Sequence, residues 1–124
     1  MEKLTEEQKK RLLIGLDPVK LRIERICKIG KFNEEIEKEA KKLYTKICVA
    51  DYSKRNKLVT PMVTVYLACE KLEEKVSLEE IDSRGNPFPP EIDKNHLEKM
   101  RQLRLKEAKK HLEEVKELLK EGGI

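Results

Sequence analysis

A run of apolar residues in the middle of the chain limits what it can fold into. Met62, Val63, Val65, Tyr66, Leu67, Ala68 and Cys69 follow Thr60-Pro61 with only Thr64 interrupting. An element that is apolar all round has to be surrounded by other elements. Its β-branched residues would also suit a strand. The Thr-Pro opening, with Thr60 as cap and Pro61 in the first turn, and the continuation through Glu70 to Leu72 favour a central helix. The rest of the chain must supply the covering, and its 124 residues are enough for one core.

Helix signals recur on both sides of that run, and strand alternation is almost absent. Thr5 and Gln8 form a capping box ahead of Leu12, Leu13 and Leu16. Asp17-Pro18 starts a second helix, whose Val19, Ile23, Ile26 and Cys27 share a face and for which Gly30 is a stop. Asn33 caps a third, with Ile36, Ala40, Leu43, Tyr44 and Ile47 along one stripe. A polar, basic connection at 53–57 leads to the central helix. After it, Ser77 and Glu80 cap a short helix, flanked by Val76 and Ile81 as a hydrophobic staple, and Gly85-Asn86-Pro87-Phe88-Pro89-Pro90 cannot continue it. The last helix starts at Asp93, with Ile92 and Leu97 as a staple, and ends before Gly122-Gly123. Its Leu105, Ala108, Leu112, Val115 and Leu119 step by 3, 4, 3, 4, a heptad-like seam.

Charged residues make up 42% of the chain, mostly Lys and Glu, a balance that suits ion-pair networks on exposed helix faces in proteins of heat-loving organisms. The net charge of +4 permits a polyanionic partner without demanding one. No stretch is apolar for long enough to span a membrane, and the acidic start Met1-Glu2-Lys3-Leu4-Thr5-Glu6-Glu7 is unlike a secretory signal, so a cytoplasmic location is expected. Cys27, Cys48 and Cys69 form no C-x-x-C pair, and their apolar neighbours suit buried thiols in a reducing compartment.

The blocks around the central run resemble one cyclin-like repeat of the general transcription factor IIB family, which includes archaeal transcription factor B. Ala40-Lys41-Lys42-Leu43-Tyr44-Thr45-Lys46-Ile47 is similar to the family's Ala-x-x-Ile-Tyr-x-x-Ala. Tyr66-Leu67-Ala68-Cys69 looks like its Tyr-x-Ala-Cys, and Ser77-Leu78-Glu79-Glu80-Ile81 like its Thr-Leu-x-Glu-Ile. The similarity covers roughly 17–82. It implies a cyclin-like helical bundle of the kind that holds the TATA-binding protein and its bent DNA, while related folds dock proteins. The departures are a single repeat, no zinc-ribbon cysteines, and Arg55-Asn56-Lys57 where the family has Gly-Arg-Ser. The Pro-rich segment also interrupts the short helix, turn and recognition helix that a helix-turn-helix needs.

These readings give an all-α chain: an N-terminal helix over 1–16, a cyclin-like repeat over 17–84, a Pro-rich connector over 85–92, and a long C-terminal helix over 93–121 that packs on the domain or extends it. Candidate nucleic-acid contacts are Lys99, Arg101, Arg104, Lys106, Lys109 and Lys110 on the last helix, extended by Lys54, Arg55 and Lys57. Long cations on one helix can meet successive phosphates and displace counterions. A solvated face explains the same residues, because Glu113, Glu114 and Glu117 restore acidity. The seam of Leu105, Leu112, Val115 and Leu119 is a candidate protein-binding or homodimer surface. Tyr52 and Phe88 are the loop aromatics able to stack on bases, whereas Tyr44 and Tyr66 suit the core.

No catalytic or metal constellation stands out. His96 and His111 are too far apart on one helix to share a metal, and neither a Gly-rich phosphate loop nor a nucleophile motif occurs. The expectation is a non-enzymatic binding module without cofactor or metal, placed in a DNA-associated or transcription-related assembly. Its expected partners are DNA, a transcription-complex protein or a second copy of itself, and no membrane. The alternative is a protein-only cyclin-like adaptor or homodimer assembled through the seam.

Overall fold

The computed structural model describes residues 4–14, 17–86 and 94–121. Their elements are α1 (Glu6–Ile14), α2 (Pro18–Ile29), α3 (Glu34–Asp51), a 3-10 turn at Tyr52–Lys54, α4 (Thr60–Lys71), α5 (Leu78–Gly85) and α6 (Lys94–Glu121). The all-α expectation holds, and α6, at 28 residues, is about 42 Å long. No described helix is long and apolar enough to cross a membrane.

The central apolar run is α4, and every residue from Thr60 to Val65 is buried. Its main partner is α3, which presents the stripe Ile36, Ala40, Leu43, Tyr44, Ile47 and Cys48. Helix α2 lays Val19, Ile23, Ile26 and Cys27 across both, α5 closes over α2 and α4, and α6 lies against α3, α4 and α5. Burying one of the larger aliphatic side chains, such as Ile23 or Ile47, contributes about 2–3 kcal/mol. The three free cysteines belong to this core, and burial pushes the Cys27 thiol up to about 12 and the Cys48 thiol up to about 11. Such thiols stay protonated and unreactive.

The expected caps form. Gln8 N–H donates to Thr5 Oγ1 at 3.1 Å and Thr5 N–H to Gln8 Oε1 at 2.9 Å. Asp17 accepts from Val19 N–H, Asn33 from Ile36 N–H and Ser77 from Glu80 N–H. One cap reads differently, and the Gly30 stop forms by another geometry than the usual left-handed glycine. Thr60 lies inside α4 rather than capping it; the Asn56 side chain accepts from Leu58 and Val59 N–H, and Thr60 Oγ1 accepts from Asn56 N–H at 2.7 Å. Gly30 ends α2 in right-handed geometry, and Lys31 takes the left-handed turn at φ 57°. Phe32 N–H then donates to Cys27 O at 2.9 Å and Lys31 N–H to Lys28 O at 3.4 Å, closing a Schellman motif. Glycine is needed at position 30 for space, because a Cβ there would lie 2.6 Å from the Phe32 ring.

Close approach also explains Gly85, which the connector was expected to contain but which is the last residue of α5. A Cβ there would meet the Ile26 side chain at 2.8 Å, so its absence lets α5 settle on α2. Residues 87–93, including Phe88, Ile92 and Asp93, lie outside the described residues. The exposed charges join neighbouring helices: Lys41 reaches Glu24 at 2.5 Å, Lys71 reaches Glu39 at 2.7 Å and Lys109 reaches Glu79 at 2.8 Å. Each contributes at most about 1 kcal/mol, less in salt.

Candidate nucleic-acid interface

The cations read from the sequence do not form one face. Asp17, Asp51 and Asp82 are buried among the described residues, and a buried carboxylate has to be answered by donors or opposite charge. Asp82, with no solvent exposure, lies on the inner stripe of α5 with Leu78, Ile81 and Gly85. Arg104 meets it side-on, Nε donating to Oδ1 at 2.7 Å and Nη2 to Oδ2 at 3.0 Å. Arg101 Nε lies 2.8 Å from Oδ2, an ion contact too bent for a hydrogen bond, while its Nη2 donates to the Asn86 carbonyl at 2.9 Å. Asn86 Nδ2 adds a donor to Asp82 Oδ1 at 3.1 Å.

Asp17 is buried at the start of α2. It accepts from Val19 N–H and, at 2.8 Å, from the Tyr44 hydroxyl, which burial and the neighbouring Cys48 and Asp17 hold well above the usual phenol range. Arg55 stands 3.7 Å from its Oδ2 and stacks over Tyr52, 4.3 Å from the ring centroid. Tyr52, expected in a loop and open to bases, is therefore buried under a guanidinium. Arg55, Arg101 and Arg104, expected at the nucleic-acid surface, have their first commitments inside the protein. Lys109 is exposed and paired, its ammonium pulling the Glu79 carboxyl below the usual range.

The seam is also corrected as a partner surface. Leu105, Leu112 and Val115 are buried within the chain and Leu119 is half-buried, all packed on the common core. Midway along it His111 is buried, its Nε2 2.8 Å from Thr60 Oγ1, which ties α6 to the start of α4. Burial pulls the imidazole below its usual range, and Glu114 and Glu107 only partly oppose this. His96 is exposed far away along α6, and among the described residues no group of three His, Cys, Asp or Glu side chains could hold a metal.

At 100° per residue, Lys99, Lys106 and Lys110 point away from the body on one exposed stripe with Leu103. A different set of cations converges. A cleft of about 240 Å³ opens between α2, the start of α4 and α6, lined by Arg22, Arg25 and Ile26, by Leu58 and Pro61, and by Asn86 and Arg104. Arg22 Nη1 donates to the Lys57 carbonyl at 2.6 Å, which joins the 53–57 connection to α2 and puts the exposed Lys57 beside the cleft. Arg25 is exposed and has no ion-pair or hydrogen-bond partner among the described residues. Arg104 reaches the cleft from behind, its orientation fixed by Asp82.

The cleft sits at the N-terminal end of α4, where the helix dipole favours an anion. The other end of α4 carries the opposite charge: a concavity of about 590 Å³ there is lined by Tyr66, Glu70, Glu73, Glu74, Lys75 and Val76. Of the cations around the cleft, only Arg104 and Lys57 were named from the sequence as nucleic-acid contacts. Arg22 and Arg25 were missed because their partner helix lies some eighty residues further along the chain.

No family model matches the chain, and no curated protein and no solved structure matches it.

Proposed function

We propose that this chain is a nucleic-acid-binding module without chemistry of its own, working in a DNA-associated assembly. The supporting observation is the convergence of Arg22, Arg25 and Arg104, from two helices, on one cleft beside Lys57. Guanidinium groups match phosphate oxygens in planar, forked geometry, and Arg25 has no partner among the described residues. The resemblance of 17–82 to a cyclin-like repeat of the transcription factor IIB family supports the same reading, since those repeats hold a protein and DNA together. The outward Lys99, Lys106 and Lys110 add long-range attraction for a polyanion rather than a site.

The test is binding of labelled duplex DNA by fluorescence anisotropy across a salt series. Phosphate contact predicts that log affinity falls with log salt, at a slope of about −0.9 for each phosphate neutralised. Arg25→Gln reduces that slope by about 1, while Lys106→Gln leaves it nearly unchanged. Absence of binding at low salt overturns the reading.

A further inference from the structure

We infer that the arginine cleft is a discrete site for a terminal phosphate monoester of a nucleic-acid strand; this rests on the nucleic-acid reading above and narrows it. The first argument is shape. An internucleotide phosphate continues into sugar on both sides and needs an open groove, whereas a terminal phosphate can enter a concavity of about 240 Å³ end-on.

The second argument counts donors and charge. Arg104 uses Nε and Nη2 on Asp82, which leaves Nη1 unpaired among the described residues. Arg22 uses Nη1 on the Lys57 carbonyl and keeps Nε and Nη2, while Arg25 keeps its whole fork. Three guanidinium groups from two helices bring more positive charge to the cleft than the single charge of a diester answers. A monoester offers three oxygens and about −1.5 to −2 charges at neutral pH. Asp82 also holds Arg104 in place before any ligand arrives, with Pro61 and Leu58 completing the wall of the cleft.

The experiment uses the full chain and one short single strand with an internal fluorophore, in 5′-phosphorylated, 3′-phosphorylated and unphosphorylated forms. At least one phosphorylated form is expected to bind about tenfold more tightly than the unphosphorylated strand, the worth of one or two charge-assisted hydrogen bonds in a half-open site. Arg25→Gln, on an exposed side chain with no partner among the described residues, is expected to abolish that preference without unfolding the protein. Equal, salt-dependent binding of all three strands overturns the terminal-phosphate site while leaving the nucleic-acid reading intact. No binding of any strand overturns both. A preference that survives Arg25→Gln places the phosphate elsewhere and overturns the assignment to this cleft.

Discussion

Replacing Asp82 by asparagine keeps the volume of a side chain that has no solvent exposure and removes its charge. Two guanidinium groups then face each other across a neutral amide, with Arg101 only 14% and Arg104 only 21% exposed. Removing one member of a fully buried ion pair costs about 3–5 kcal/mol. Both arginines retain some access to water, which places the expected loss at the lower end, about 3 kcal/mol. For a domain of this size that lowers the melting temperature by about 10–15 °C. Urea unfolding followed by far-UV circular dichroism should show a lower midpoint at unchanged m-value. Combining Asp82→Asn with Arg104→Gln should cost less than the sum of the two singles, by about 2 kcal/mol, because both remove the same contact. A single-variant loss under about 1 kcal/mol, or additive singles, would refute the claim that this cluster seats α6 on α5.

Three further outcomes follow from the packing. His111 is neutral in the fold with its pKa depressed, so the unfolded chain binds the extra proton first; stability is full above the ordinary imidazole value of about 6.5 and falls as pH drops below it. The difference between wild type and His111→Gln should show this in urea midpoints between pH 7.5 and 5.5, with a slope bounded by about 1.4 kcal/mol per pH unit. Leu112→Ala should cost about 2–4 kcal/mol in the same assay, with the sedimentation coefficient unchanged, because the seam is filled from within the chain. Lys31→Gly should stabilise by about 0.5–1 kcal/mol, since it relieves a left-handed lysine whose side chain is exposed.

The helices were legible because their signals are local. Asp17, Asn33 and Ser77 each cap within three residues, and the 3.6-residue stripes of α2 and α3 name the buried face directly. Thr60 misled because a Thr-Pro pair reads the same whether the hydroxyl caps the helix or lies inside its first turn, and here Asn56 supplies the acceptor. Gly30 stops α2 as its sequence position indicates, but for the room that the Phe32 ring needs rather than for a left-handed turn. The surface was less legible because charge in a sequence does not say which cations are already answered. One signal was present: Asp82 stands on the inner stripe Leu78, Ile81, Asp82, Gly85, and an aspartate there requires an arginine from another helix. Such an aspartate draws Arg101 and Arg104 inward. The meeting of Arg22 and Arg25 with Arg104 depends on how α6 folds back over α3, α4 and α5, which no local pattern encodes.

The most direct test of the central claim is a titration of the ¹⁵N-labelled protein with a short DNA, following arginine side-chain Nε–H and backbone amide signals. The account predicts saturable shifts at Arg22, Arg25 and Arg104 and along the outer face of α2, with Lys99, Lys106 and Lys110 nearly unmoved. Shifts confined to those lysines, with the arginines silent, would contradict it.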